Sequence, residues 1–282
     1  MTSTSGVLYV VATPIGNLGD ITERAKHILQ SVSLIAAEDT RHTGRLLQHL
    51  GITNKLISLH DHNERQKASF FVEKLSKGND LALVSDAGTP LISDPGYFLV
   101  REVRAAGLKV VPIPGACALI SALSASGLAT DSFVFEGFLA AKTTARQKQL
   151  ALLKNEPRTM VFYESTHRIL DSLNDMSNVL GEDRLATVAR ELTKTFETIN
   201  TDSLKNLIRW MEEDSDQKRG EFVVIVSGNP NSLTSEESEA DRLVDIISTK
   251  LPLAQATSLT AEITGERKKT LYQRALLRRD ES

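Results

Sequence analysis

A chain of 282 residues, 41% hydrophobic and 24% charged, has the composition of a globular protein with room for two domains. Its net charge of −3 excludes a uniformly basic nucleic-acid coat, though not a local basic patch, and its single cysteine, Cys117, excludes a disulfide framework or a cysteine-built zinc site. With no apolar run of about 18 residues and a polar stretch from Met1 to Gly6, the expectation is a protein of the reducing cytoplasm.

Gly6 to Ala12 is nearly continuous apolar sequence, as in a strand covered on both faces of a parallel sheet. It ends in a Gly/Pro loop, Thr13-Pro14-Ile15-Gly16-Asn17-Leu18-Gly19-Asp20, before a helix that runs to about Gln30. A strand at Ser33 to Ala37 leads into Glu38-Asp39-Thr40-Arg41 and a helix to Leu50. A strand at Leu56 to Leu59 and a helix at Glu64 to Leu75 follow. Leu81 to Val84 is the next buried strand, and the loop after it is the most unusual stretch of the chain: Ser85-Asp86-Ala87-Gly88-Thr89-Pro90-Leu91-Ile92-Ser93-Asp94-Pro95-Gly96. Gly88 and Gly96 permit backbone conformations that other residues resist, Pro90 and Pro95 stiffen the loop, and Asp86 and Asp94 add carboxylates. A helix from Tyr97 to Ala106 and a strand at Lys109 to Ile113 lead to a further loop, Pro114-Gly115-Ala116-Cys117.

Strands alternating with helices imply a parallel sheet covered by helices, so the loops after its strands should converge on one edge, where such sheets bind ligands. Local turn chemistry accounts for each loop singly but not for their convergence.

Phe133 to Phe138 reads as another strand, closing a first domain at 1–138, with Leu139 to Arg146 as a linker. A second α/β domain, 139–230, has helices at Arg146 to Leu153, Thr166 to Leu180 and near Leu204 to Met211. Its strands fall at Thr159 to Tyr163, Leu185 to Ala189, about Thr195 to Ile199, and Glu221 to Val226. The remainder, 231–282, reads as an acidic tether (the polar stretch Gly228 to Glu239) and a helical tail. Leu253, Ala256, Leu259 and Ile263 share one helical face, Gly265 would end that helix, and a second starts near Glu266 with Leu271, Ala275 and Leu276 as apolar positions. Arg267, Lys268, Lys269, Arg274, Arg278 and Arg279 occupy its other faces, which suits a phosphate backbone and equally suits a dimer contact or a solvated end.

The Rossmann glycine fingerprint, the P-loop and H-E-x-x-H are absent. His60-Asp61-His62 reads as a solvated loop rather than a metal site, and apolar surroundings make Cys117 a packed thiol rather than a nucleophile.

Thr13-Pro14-Ile15-Gly16-Asn17-Leu18-x-Asp20, Glu38-Asp39-Thr40-Arg41, Ser85 to Pro90 and Pro112-x-Pro114-Gly115 together resemble the tetrapyrrole-methylase-type methyltransferases. Phe135-x-Gly137-Phe138, Tyr163-Glu164-Ser165-x-His167-Arg168, Arg190-Glu191-Leu192-Thr193-Lys194 and Gly220-Glu221 extend the likeness to the group acting on small-subunit ribosomal RNA, and the tail resembles that group's helix-turn-helix-like end. Two departures stand out. Ala140 replaces the usual proline, implying a looser hinge, and Ser85 to Pro90 replaces the G-x-G-D-P of the wider class, which argues against a tetrapyrrole substrate.

The resemblance implies two α/β domains with S-adenosylmethionine in the cleft between them, a homodimer, and methylation of a decoding-centre cytidine of 16S rRNA on its ribose 2′-oxygen. It points to Pro14, Asp86, Ala87, Gly88, Thr89, Gly115 and Ala116 from the first domain, and Phe138, Tyr163 and Gly220 from the second, as cofactor contacts. Glu38, Asp39, Arg41, Glu164, Arg190, Glu191 and Lys194 are candidates to hold RNA or take the proton, with Glu191, Lys194 and Arg190 the catalytic choice and no metal required. Each of them also suits a salt bridge or helix cap. A small-molecule methyltransferase and a non-catalytic module binding a nucleotide-like ligand remain the alternatives; the basic tail discriminates against the first.

Overall fold

In the first sheet, four-residue strands with every side chain buried leave no polar face, so both faces must be covered by helices. A computed structural model describes residues 5–229 and 235–280. They form two compact units, one of residues up to 151 together with 159–227, the other of 152–158 together with residues from 228 onward.

The first unit opens with β1 (Val7–Val11), α1 (Glu23–Ser31), β2 (Leu34–Ala37), α2 (Thr40–His49), β3 (Leu56–Ser58), α3 (Glu64–Ser76), β4 (Leu81–Val84), α4 (Tyr97–Ala105) and β5 (Lys109–Ile113). All strand pairs are parallel, in the order β3-β2-β4-β1-β5. The chain leaves β1 towards β2 and leaves β4 in the other direction, towards β5. That reversal opens a crevice beyond the carboxyl ends of β1 and β4.

α5 (Ala118–Ala125), which the sequence reading left unassigned, leads to β6 (Phe133–Phe138), α6 (Thr143–Leu152), β7 (Thr159–Ser165), α7 (Ile169–Leu180), β8 (Leu185–Arg190), β9 (Thr198–Ser203), α8 (Leu204–Glu213) and β10 (Glu221–Val226). The second sheet runs β6-β7-β10-β8-β9, with β6 and β7 parallel and the other pairs antiparallel. β6 therefore belongs to the second sheet, and the division expected at 138/139 does not coincide with where the sheets divide. Leu139 to Arg146 is not a free linker either. Leu139 is buried, and Arg146 forms a buried ion pair of 2.6 Å with Asp175. Ala140 uses the N–H that a proline lacks, donating to Gln149 Oε1 at 3.2 Å. α5 packs on the second sheet through Leu119, Ala122 and Leu123 against Val161, Val223 and Ile225, and Ile15, Ile92 and Cys117 pack on the same cluster. Loop residues of the first half thus pack into the core of the second sheet.

The second unit holds α9 (Ser235–Ser248), α10 (Leu253–Thr264) and α11 (Lys268–Asp280). The tether expected over 228–239 falls partly on 230–234, outside the described residues, and partly on α9, whose Ala240 and Val244 pack with Leu271 and Ala275. Leu259 and Ile263, expected on the apolar face of their helix, are 41% and 59% exposed. α10 instead buries its small residues Ala256, Thr257 and Thr260. Gly265 caps α10 as expected, in the left-handed conformation at φ 77°. Leu276, also expected inside, is exposed. Arg274 and Arg278 both pair with the buried Asp241, and Arg278 also with Asp245, so they brace the helices rather than line a free basic face. Arg267, Lys268 and Lys269 are exposed; the side chain of Arg279 lies outside the described residues.

Candidate active site

The three special loops converge. Thr13 N donates to Gly88 O at 2.8 Å and Gly88 N to Thr13 O at 3.0 Å, joining the loops after β1 and β4 in a short antiparallel bridge. Thr89 Oγ1 donates to Ala116 O at 3.0 Å and ties in the loop after β5. Gly88 sits at φ 78°, where a side chain is strained, and a Cβ there would lie 3.3 Å from Ile15 Cγ2. At Gly115 the restriction is space, since a Cβ would lie 2.9 Å from the Cβ of Ala12.

Four non-glycine residues among those described have left-handed backbones: Leu91, Ser93, Glu191 and Thr193, at φ 74°, 66°, 50° and 67°. Each costs on the order of 1 kcal/mol or more, so surrounding contacts must enforce it. The first two lie in the loop after β4 and the others in the loop after β8. A Cβ at Gly137 of β6 would lie 3.2 Å from Ser93 Oγ, and one at Gly16 would lie 2.5 Å from Lys194 Cγ. Each strained loop is therefore pressed against the other half of the unit.

Between them is a cavity of about 400 Å³. Ala87, Gly88 and Thr89 line one side, with Phe138, Tyr163 and Gly220 opposite. Pro14, Asp86, Gly115 and Ala116, expected with them, do not line it, and Gly115 is exposed. Asp86 in particular points away: its Oδ1 accepts from Asp39 N at 3.0 Å, while its own N donates to Glu38 Oε2 at 3.2 Å. Burial, set against the Asp86 N–H, raises the Glu38 carboxyl, and the charges of Asp86, Asp61 and Asp39 add to the rise. Asp39 and Arg41 pair with each other at 2.9 Å in solvent. Tyr163 stacks edge-on with Phe135 and Phe138, and its hydroxyl accepts from Leu119 N at 3.2 Å. Burial, then the neighbouring Cys117, pushes that phenol further up from its ordinary value.

The proton-handling candidates divide. Glu164 is buried and fully engaged, accepting from Ser172 Oγ at 2.6 Å and Ser165 N at 2.8 Å and pairing with Arg168 at 2.9 Å. Arg190 is buried too, its guanidinium donating to the carbonyls of Arg219 at 3.1 Å and Phe196 at 3.4 Å, which makes it a backbone brace. Lys194 Nζ lies 2.8 Å from Glu191 Oε1 and 2.9 Å from Glu221 Oε2. Burial would lower the lysine, but the two carboxylates outweigh it and hold the ammonium charged. Burial would likewise raise Glu191, yet Lys194, the Glu221 N–H and the Arg190 charge together keep it below its ordinary range. Glu191 and Lys194 do not line the cavity, although their neighbours Leu192 and Glu221 do.

Sequence reasoning named the Asp94 carboxylate but gave it no place in the site; the structure puts it in the cavity wall. Burial, partly opposed by a hydrogen bond from Ser85 and reinforced by Glu38, Asp86 and Asp61, pushes it up to about 6. Ile15, Ile92 and His167 also line the cavity without having been singled out. No group of three or more His, Cys, Asp or Glu among the described residues is arranged to hold a metal ion; His60 instead bonds Asn63 at 2.8 Å.

Comparison with known proteins places this geometry. Residues 7–208 match the Tetrapyrrole (Corrin/Porphyrin) Methylases, and residues 234–279 match the RsmI C-terminal HTH domain. Proteins named ribosomal RNA small subunit methyltransferase I are similar along nearly the whole chain. The Haemophilus influenzae protein is 55% identical, covering 97% of both chains, and that of Escherichia coli O157:H7 is 55% identical, covering 97% of this chain and 96% of its own. Among solved structures, uroporphyrin-III-C-methyltransferase from Thermus thermophilus has a TM-score of 0.53 at 17% identity, covering 79% of this chain and 94% of its own. Diphthine synthase has a TM-score of 0.57 at 13% identity, covering 79% and 90%. Those two likenesses establish the fold alone.

Proposed function

The chain belongs to the tetrapyrrole methylase family and, within it, to the ribosomal RNA small subunit methyltransferase I proteins, and from that membership we propose that it transfers a methyl group from S-adenosylmethionine to the ribose 2′-oxygen of a decoding-centre cytidine in 16S rRNA. The observation that carries the reading is the cavity where the loops after β1 and β4 and the start of α5 meet the second sheet. Its volume of about 400 Å³ lies within the range of about 300–1,000 Å³ usual for small-molecule sites. The absence of a Cβ at Gly88 leaves backbone open on one wall, while Phe138 and Tyr163 offer aromatic surface on the other. A nucleoside with an amino-acid tail needs both kinds of surface.

Ala87, Gly88 and Thr89 would hold the cofactor from one side and Phe138, Tyr163 and Gly220 from the other, with Pro14, Asp86, Gly115 and Ala116 fixing the loops. S-adenosylmethionine, when bound, supplies an activated methyl group. The chain's own contribution is alignment, exclusion of water and a destination for the acceptor's proton. We place Lys194 at the cavity's margin as a fixed cation, held by Glu191 and Glu221 and suited to an RNA phosphate rather than to taking a proton. Arg190 supports that loop from behind. The tail, with Arg267, Lys268 and Lys269 exposed, is read as an RNA-binding arm. A homodimer working in the cytoplasm on the small ribosomal subunit completes the proposal.

Incubation with methyl-labelled S-adenosylmethionine and either small ribosomal subunits or a tetrapyrrole precursor tests it. Label should enter the RNA; label in the tetrapyrrole, or in neither, would overturn the reading.

A further inference from the structure

If the acceptor is a ribose hydroxyl, a group facing the cavity must receive its proton, and most of the cavity's polar side chains are already engaged. Glu164 is held by Ser172, Ser165 and Arg168, Glu221 by Lys194, and the Thr89 hydroxyl by Ala116. Tyr163 accepts from Leu119 N. Among the described residues of the cavity wall, Asp94 is the carboxylate that pairs with no cation. It stands between two fixed points. Ser93 before it is in the left-handed conformation, its Oγ 3.2 Å from where a Cβ of Gly137 would stand, and Pro95-Gly96 after it is buried, with a Cβ at Gly96 only 2.8 Å from Leu83 Cδ2. Backbone strain at Leu91 and Ser93 is thus accompanied by one consistent outcome, a carboxylate in the wall of the cavity.

We propose that Asp94 takes the proton of the acceptor hydroxyl, the loop after β4 being bent at Leu91 and Ser93 to present it. The assignment rests on the methyl-transfer reading above. As the acceptor's O–H bond breaks, its proton passes to the Asp94 carboxylate. The freed oxygen pair forms the bond to the methyl carbon, and the carbon–sulfur bond leaves its electrons on sulfur, turning a sulfonium into a neutral thioether. An ordinary carboxylate is a weak proton acceptor, and burial makes this one stronger. The charged or titratable groups around it are Glu38, Asp61 and Asp86 behind the loop, and Tyr163, Glu164, His167 and Glu221 around the cavity.

The test compares the full-length protein, Asp94→Asn and His167→Gln under single-turnover conditions with small ribosomal subunits from pH 5 to 8. The unaltered rate should fall as pH drops through about 6. Asp94→Asn should lose at least about a hundredfold and its acidic limb, whereas His167→Gln should keep the limb. Two readouts are independent of turnover. Calorimetric affinity for S-adenosylmethionine should change less than about threefold in Asp94→Asn, or less than 0.7 kcal/mol. The melting temperature of Asp94→Asn should exceed that of the parent at pH 7.5 and match it near pH 4. An unchanged acidic limb in Asp94→Asn, its loss in His167→Gln, or a drop in cofactor affinity matching the drop in rate would overturn the assignment. Absence of any methyl transfer by the unaltered protein, with the melting difference intact, would instead overturn the activity and this role with it.

Discussion

Gly88→Ala probes the junction on which the candidate site depends. Residue 88 sits at φ 78° with both its N–H and its C=O bonded to Thr13, so the peptide cannot relax without breaking the bridge. A side chain in that conformation costs about 1–2 kcal/mol. The new methyl would stand 3.3 Å from Ile15 Cγ2, which must then move a few tenths of an ångström, and Ile15 lines the cavity. The strain should lower the melting temperature by about 2–6 °C. The displaced wall should weaken S-adenosylmethionine binding about tenfold, or 1.4 kcal/mol. Gly107→Ala is the control, because residue 107 has φ 72° and nothing within 4 Å of its would-be Cβ. It carries the same strain away from the cavity. Scanning calorimetry and titration calorimetry on both variants separate the terms. If Gly88→Ala loses stability as Gly107→Ala does yet binds the cofactor as tightly as the parent, the cradle at Gly88 is not part of the site.

Arg146→Ala leaves Asp175 buried without its cation and should cost about 3–5 kcal/mol, read from urea unfolding. Asp94→Asn should stabilise the fold at neutral pH. The folded state holds that carboxyl near 6 against an ordinary 3.8, so it binds the proton more tightly, and the parent loses stability as pH rises through that window. The full shift would be about 3 kcal/mol, reduced to about 1–2 by solvent screening, and melting curves from pH 4 to 8 should show the gap opening with pH. Removing residues 229–282, which takes α9 together with α10 and α11, should leave cofactor affinity intact while weakening small-subunit binding and flattening its salt dependence; equal binding across a salt series would rule out an RNA arm. Cys117→Ser should retain methyl transfer, since Cys117 packs against the core of the second sheet, and a dead but folded variant would contradict that.

The first sheet was legible because β2 and β4 are buried on both faces and are written as unbroken apolar runs. Convergence of the loops followed from parallel strands alone, and the Thr13–Gly88 bridge joins the loops after β1 and β4. Three things were not legible. β6 reads as a strand but not as a strand of the second sheet, because partner choice is set by packing against β7 rather than by its own residues. α9 is hidden by its acidic composition, since few positions of it, Ala240 and Val244 among them, enter the core. The cavity's side chains depend on left-handed turns at Leu91, Ser93, Glu191 and Thr193, residue types that no local rule assigns to that conformation. Asp86, prominent in its motif, is taken up by Asp39 N and does not line the cavity, while Asp94 does.

The central claim is the position of the methyl group on RNA, and mass spectrometry of nucleosides from small subunits methylated by the protein tests it most directly. Cleavage of the glycosidic bond separates base from sugar. The account predicts a single methylated cytidine whose extra mass stays with the ribose fragment. Extra mass on the base fragment, or on a nucleoside other than cytidine, would contradict it.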